Sequence, residues 1–72
     1  MGIDIDYKRG ILFIRLLGNL TLNNIFKFEE EVIPIVLELT ARNVSINLSN
    51  VNLIDNSFIN SFIKISNIVN RF

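Results

Sequence analysis

The chain has 72 residues, seven basic against seven acidic, with no cysteine and no histidine. Disulfides, thiolate chemistry, zinc fingers and the usual Ser-His or Cys-His pairs are thereby excluded, and the length suits one small domain. Half the residues are hydrophobic, yet no apolar run reaches the roughly 20 residues that span a bilayer, and the scattered Lys8, Arg9, Arg15, Lys27, Arg42, Lys64 and Arg71 form no basic stripe for nucleic acid.

Ile3, Ile5 and Tyr7 alternate with Asp4 and Asp6, the period-two pattern of a half-buried strand. Gly10 supplies the positive φ of a tight hairpin. Ile11 to Leu17 is a second strand, nearly all apolar, and is expected to be covered on both faces. Gly18 and Asn19 end it. The N-terminal stretch "MGIDIDYKRG" is too acidic and polar for a signal peptide. A cysteine-free chain fits a reducing cytoplasm.

Asn23 and Asn24 offer an N-cap, and a helix is predicted from there to about Thr40. Ile25, Phe28, Val32, Ile35, Val36 and Leu39 fall on one stripe; Phe26, Ile33 and Leu37 form a second beside it. Together they cover about half the circumference, wider than one core requires. Pro34 removes the hydrogen bond to the Glu30 carbonyl, and one kinked helix is expected, because the stripe stays in phase across it.

Val44, Ile46 and Leu48 alternate with Ser45 and Asn47, a third strand, and Val51, Leu53 and Ile54 are read as carrying the chain inward to Asp55. From Ser57 the helical period returns, with Phe58, Phe62, Ile65, Val69 and Phe72 on one face and Asn60, Lys64, Asn67 and Arg71 on the other. The order β-β-α-β-α predicts an α/β fold. Its small mixed sheet holds an antiparallel first hairpin and a right-handed parallel crossover, with the helices packed on it.

Three groups of polar residues invite a chemical reading. Asp4 and Asp6 share a strand face, but a hard cation needs more oxygen ligands than these two supply; a solvated face is the expectation. Glu29, Glu30 and Glu31 lie in the first two turns of a helix, where acids complement the macrodipole. "IDNSF" sits where the last strand meets the last helix. Asp55 or Asn56 can cap that helix, and the Ser57 hydroxyl, toward the polar side, is expected to be reachable. No phosphate-cradling glycine loop, metal site or cofactor site is read from the sequence, and nothing in it points to an enzyme.

"ILFIRLLGNLTL", a helix, and "NVSINLSNVNLIDNSFINSFIKI" together resemble the STAS domain, the fold of bacterial anti-sigma factor antagonists. Members read like V-R-L-x-G-E-L-D in the second strand and like D-L-S-x-V-x-x-I-D-S-S-G-L later on. The resemblance covers essentially the whole chain. It implies a non-enzymatic module whose serine, directly after the Asp of D-S-S-G, is phosphorylated by a kinase that is also the anti-sigma factor. Placed on that motif, Asp55 matches the aspartate, Asn56 falls at the phosphoacceptor, Ser57 at the second hydroxyl residue and Phe58 at the glycine. Thr21 and Asn47 stand where the family carries acids. An asparagine cannot form a phosphoester, so the usual switch is expected to be missing unless Ser57 has taken it over. Phe58 is read as an extra core residue, with an aromatic anchor for a partner as the alternative.

The docking surface implied by the resemblance comprises Asp55, Asn56, Ser57, Asn60 and Lys64, with Asn23 nearby. The implied partners are an anti-sigma factor kinase, another STAS protein, or a second copy of the chain. The alternative is an assembly subunit bound to a cytoplasmic transporter ATPase. Family domains usually continue with a further strand and helix, which residues 1–72 lack. The third strand is therefore expected to leave an apolar sheet edge open, which favours self-association.

Overall fold

A computed structural model describes residues 1–72. Strand β1 (Gly2–Lys8) and strand β2 (Ile11–Leu20) form the first hairpin. A 3-10 turn (Leu22–Asn24) leads into helix α1 (Ile25–Leu39), followed by strand β3 (Asn43–Ile54) and helix α2 (Asn56–Val69). The sheet order is β1-β2-β3, with β1 antiparallel and β3 parallel to β2. This is the α/β arrangement expected from the hydrophobic periods.

The hairpin closes through Arg9 and Gly10, both at positive φ, between the paired Lys8 and Ile11. Two consecutive left-handed residues give the turn a twist that matches the strands. The crossover through α1 then sets β3 on the other side of β2. Helix α2 returns over the sheet and packs on α1: the Phe28 ring lies 5.5 Å from Phe58 and 5.6 Å from Phe62. The core joins Leu12, Ile14, Leu16 and Leu20 of β2 to Phe28, Val32 and Val36 of α1, Ala41 after it, and Phe58 and Ile65 of α2.

One strand departs from expectation. β2 is covered on one face only. Leu12, Ile14 and Leu16 are buried, whereas Phe13 is 41% exposed and Arg15 lies open. Both helices occupy the same side of the sheet, so the apolar run of β2 overstates its burial. The open face holds a shallow depression of about 340 Å³ lined by Asp4, Asp6, Phe13, Arg15, Ser45 and Asn47. Asp4 pairs with Arg15 at 2.6 Å and Asp6 with Lys8 at 3.1 Å, the solvated face read from the sequence.

β3 departs as well. It is one strand of 12 residues, and its register against β2 slips twice. Arg15 pairs with Asn47 but Leu17 with Asn50; Gly18 pairs with Val51 but Asn19 with Leu53. Each bulge inserts one residue and so reverses which side chains face the helices. Val51 consequently packs on the core, while Leu53 turns out and is 59% exposed, and Ile54 is also exposed. The inward course predicted for these two residues is therefore corrected.

α1 runs unbroken through Pro34, whose exposed position puts the lost backbone hydrogen bond on the solvent side. The second stripe is not covered. Phe26 is 76% exposed and Leu37 is exposed, while Ile33 is half-buried. Nor does an asparagine side chain cap α1. Asn24 holds the N-cap position, but its amide donates to the Asn19 carbonyl at 3.3 Å and to Thr21 Oγ1 at 3.1 Å. The helix ends at Thr40, which adopts a left-handed conformation, and the Ala41 N–H closes back on the Val36 carbonyl at 3.1 Å. Phe72 lies beyond α2 and is exposed, so it does not extend the buried face.

Candidate functional site

The end of β3 is tied to the end of β2. Leu20 pairs with Ile54, and the Asp55 N–H donates to the Leu20 carbonyl at 2.8 Å. That bond fixes where the chain leaves the sheet. Asp55 keeps an extended backbone and becomes the N-cap of α2. Its Oδ1 accepts the Ser57 N–H at 2.9 Å and the Ser57 hydroxyl at 2.5 Å. One of the helix's unpaired donors is thereby satisfied. The Ser57 hydroxyl, and then its backbone N–H, hold the exposed Asp55 carboxyl below the ordinary aspartate range.

Asn56 follows on the helix surface, exposed, with no side-chain hydrogen bond to hold it. Ser57 is half-buried and its hydroxyl proton is engaged by Asp55. Phe58 is fully buried. It contacts Phe28 and also Phe62, with ring centroids 6.1 Å apart in the latter pair, which makes it a core residue and not a partner anchor. Asn60 is exposed one turn further on. Lys64 lies beyond that and binds Glu29 Oε1 of α1 at 2.9 Å. Asn23 is exposed in the turn after β2, at the same end of the sheet, and makes no side-chain hydrogen bond to the Asp55 group. Asp55, Asn56, Ser57 and Asn60 thus form one continuous tip. Asn23 stands on a separate segment, and Lys64 is committed to the contact between the helices.

A family comparison is decisive here. The family model of the STAS domain matches residues 2–71. The chain belongs to the STAS domain family. Among curated proteins no relative matches it. STAS domains are protein-interaction modules and generally non-catalytic, and in this member the tip of α2 is built by capping chemistry alone. No helix is long and apolar enough to cross a membrane.

Two features of this STAS domain were missed in the sequence. One is apolar: Leu53 and Ile54 before the tip, Ile59 just after it and Leu22 after β2 are all exposed. Their register after two bulges cannot be read from alternation. The other is polar. Ser61 is 3% exposed, and its hydroxyl donates to Glu29 Oε2 at 2.8 Å. Lys64 first, then Ser61, hold the Glu29 carboxyl below the ordinary glutamate range, against the opposing effect of burial. Glu29 therefore serves the contact between the helices and not the helix dipole. A signal for it existed: Ser61 lies at helical spacing between Phe58 and Ile65, where a lone hydroxyl requires a partner.

Proposed function

We propose that this STAS domain is a non-catalytic docking module of a reducing cytoplasm. It resembles an anti-sigma factor antagonist and offers the start of α2 to a regulatory protein. One observation carries the reading. The polar, capped tip of Asp55, Asn56 and Asn60 is exposed together with Leu53, Ile54 and Ile59. Apolar contacts ringed by hydrogen-bonding groups are what a protein interface uses.

The amide of Asn56 sets the regulatory logic. It stands at the family's phosphoacceptor and cannot be esterified, so the position stays uncharged, as an unphosphorylated serine is. Docking is then constitutive unless Ser57 is modified. A phosphate there would break the Ser57–Asp55 bond and set about two negative charges against the Asp55 carboxylate. The hydroxyl bond and the docking surface would be lost together, while the cap through the Ser57 N–H does not depend on the hydroxyl.

Calorimetric titration against an anti-sigma serine kinase of the same organism tests this. The native chain is expected to bind, and Asn56→Asp to bind roughly tenfold more weakly, the size of one unfavourable buried charge contact. Equal binding by both would remove the α2 tip from the interface. Capture of a transporter ATPase in place of the kinase would favour the assembly-subunit reading. Phosphate incorporation that Ser57→Ala leaves unchanged would exclude Ser57 as the acceptor.

A further inference from the structure

The two edges of the sheet are unlike. β1 carries Asp4, Asp6 and Lys8, the charges that blunt an edge against pairing. β3 has an unpaired outer edge of 12 residues without one charge, proline or glycine. Unpaired strand N–H and C=O groups are met by water or by another strand's backbone, and an edge without charge sets no electrostatic bar to an extended, uncharged segment. In this chain β3 is itself such a segment.

We propose that two copies of the chain pair through β3, antiparallel, about a two-fold axis at Ser45, giving a continuous six-stranded sheet. Asn43–Asn47 is the stretch of β3 that meets β2 without a bulge, so it is the regular part available for pairing. Centring on Ser45 sets Asn43 opposite the second copy's Asn47, and Val44 opposite its Ile46. No charge opposes another in that register, and each residue keeps its face of the sheet.

The helices favour the same partner. Ser61 and Lys64 of α2 face Glu29 of α1, while the half-buried Phe62 and Val69 lie on the flank turned toward β3. Between that flank and Val44 and Ile46 of β3 lies a cleft of about 260 Å³. A two-fold axis perpendicular to the sheet keeps both copies' helices on one side, so these apolar flanks face each other over the new strand pair. Backbone pairing then gains the apolar burial that a bare edge contact lacks. The α2 tip, beyond the far end of β3, takes no part, so this pairing is independent of the docking partner.

Light scattering over a concentration series tests the pairing, the single chain being 8.3 kDa. The mass is expected to approach twice that value as concentration rises. Asn43→Lys with Asn47→Lys opposes like charges twice and is expected to raise the dissociation constant roughly tenfold, whereas Asn43→Glu with Asn47→Lys sets opposite charges across the axis and restores it to within about threefold. Comparing two variants with the same sites changed separates pairing from misfolding. The chain has no cysteine, so Ser45→Cys reports the axis directly: it is expected to oxidise to a covalent dimer, and Asn60→Cys is not. A mass of one chain at every concentration overturns the proposal. So does a dimer that the two-lysine variant leaves intact, since its interface would then lie elsewhere.

Discussion

The buried hydroxyl of Ser61 donates to Glu29 Oε2 across the helix pair at 2.8 Å, while Lys64 holds the other oxygen of the same carboxylate at 2.9 Å. One acid on α1 thus receives two donors one turn apart on α2. The arrangement fixes the rotation of α2 about its axis, and with it the direction in which the helix presents Asn56 and Asn60. Ser61→Ala is expected to cost about 1 kcal/mol, the net worth of an intramolecular hydrogen bond. Glu29→Gln with Ser61→Ala is expected to cost less than the sum of the single changes, because the two share one contact. Urea unfolding of the three variants measures both.

The same carboxylate makes stability depend on acid. The Glu29 pKa is lowered in the folded chain, so its contribution is fully present above the unfolded value, about 4.3, and is lost as pH falls through the lowered folded value. Asp55 acts in the same direction. The urea midpoint is expected to hold level from pH 7 to pH 5 and to fall below that. Glu29→Gln is expected to flatten the fall. An unchanged slope in that variant would place the acid sensitivity elsewhere.

Phe58 is fully buried between Phe28 and Phe62. Phe58→Ala is expected to cost about 3–5 kcal/mol, comparable with the whole stability of so small a domain. Phe58→Leu is expected to keep the fold at a smaller loss. Circular dichroism melts of the two decide it. A Phe58→Ala variant that melts like the native chain would mean the aromatic ring is not part of the core.

Asp55 separates capping from docking. Asparagine caps as well as aspartate, while alanine does not. Asp55→Ala is expected to lower the melting temperature, and Asp55→Asn to leave it close to the native value. If a partner reads the carboxylate itself, Asp55→Asn weakens binding while stability is kept. Melting and titration on the same preparations distinguish the two roles.

Thr40 ends α1 at φ 45 and ψ 48, a left-handed conformation that a β-branched residue adopts at a cost and glycine adopts freely. Thr40→Gly is expected to stabilise the chain by about 1 kcal/mol. Thr40→Val keeps the branch and loses the hydroxyl bond to the Leu39 carbonyl, so it is expected to destabilise. Both are read from thermal melts.

Much of the fold was legible because the periods are strong. Asp4 and Asp6 marked the open face of β1, Gly10 the hairpin, and Phe28, Val32 and Val36 the buried stripe of α1. At the candidate site a capped helix start was legible too, with Asp55 or Asn56 as its cap, and the structure assigns it to Asp55. What failed was any inference from apolar content alone. Phe13, Phe26 and Leu53 are as hydrophobic as their buried neighbours, yet all three are exposed.

Local backbone chemistry in the sequence thus determined the elements, their order and the capped start of α2, because periodicity, turns and caps act within a few residues. Which faces those elements cover was settled only in three dimensions. Both helices lie on one side of the sheet, two bulges reverse the facing of β3, and Glu29 meets Ser61 across 32 positions of chain. Burial is a property of neighbours brought together by the fold, and a hydrophobic side chain carries no record of whether a neighbour will arrive.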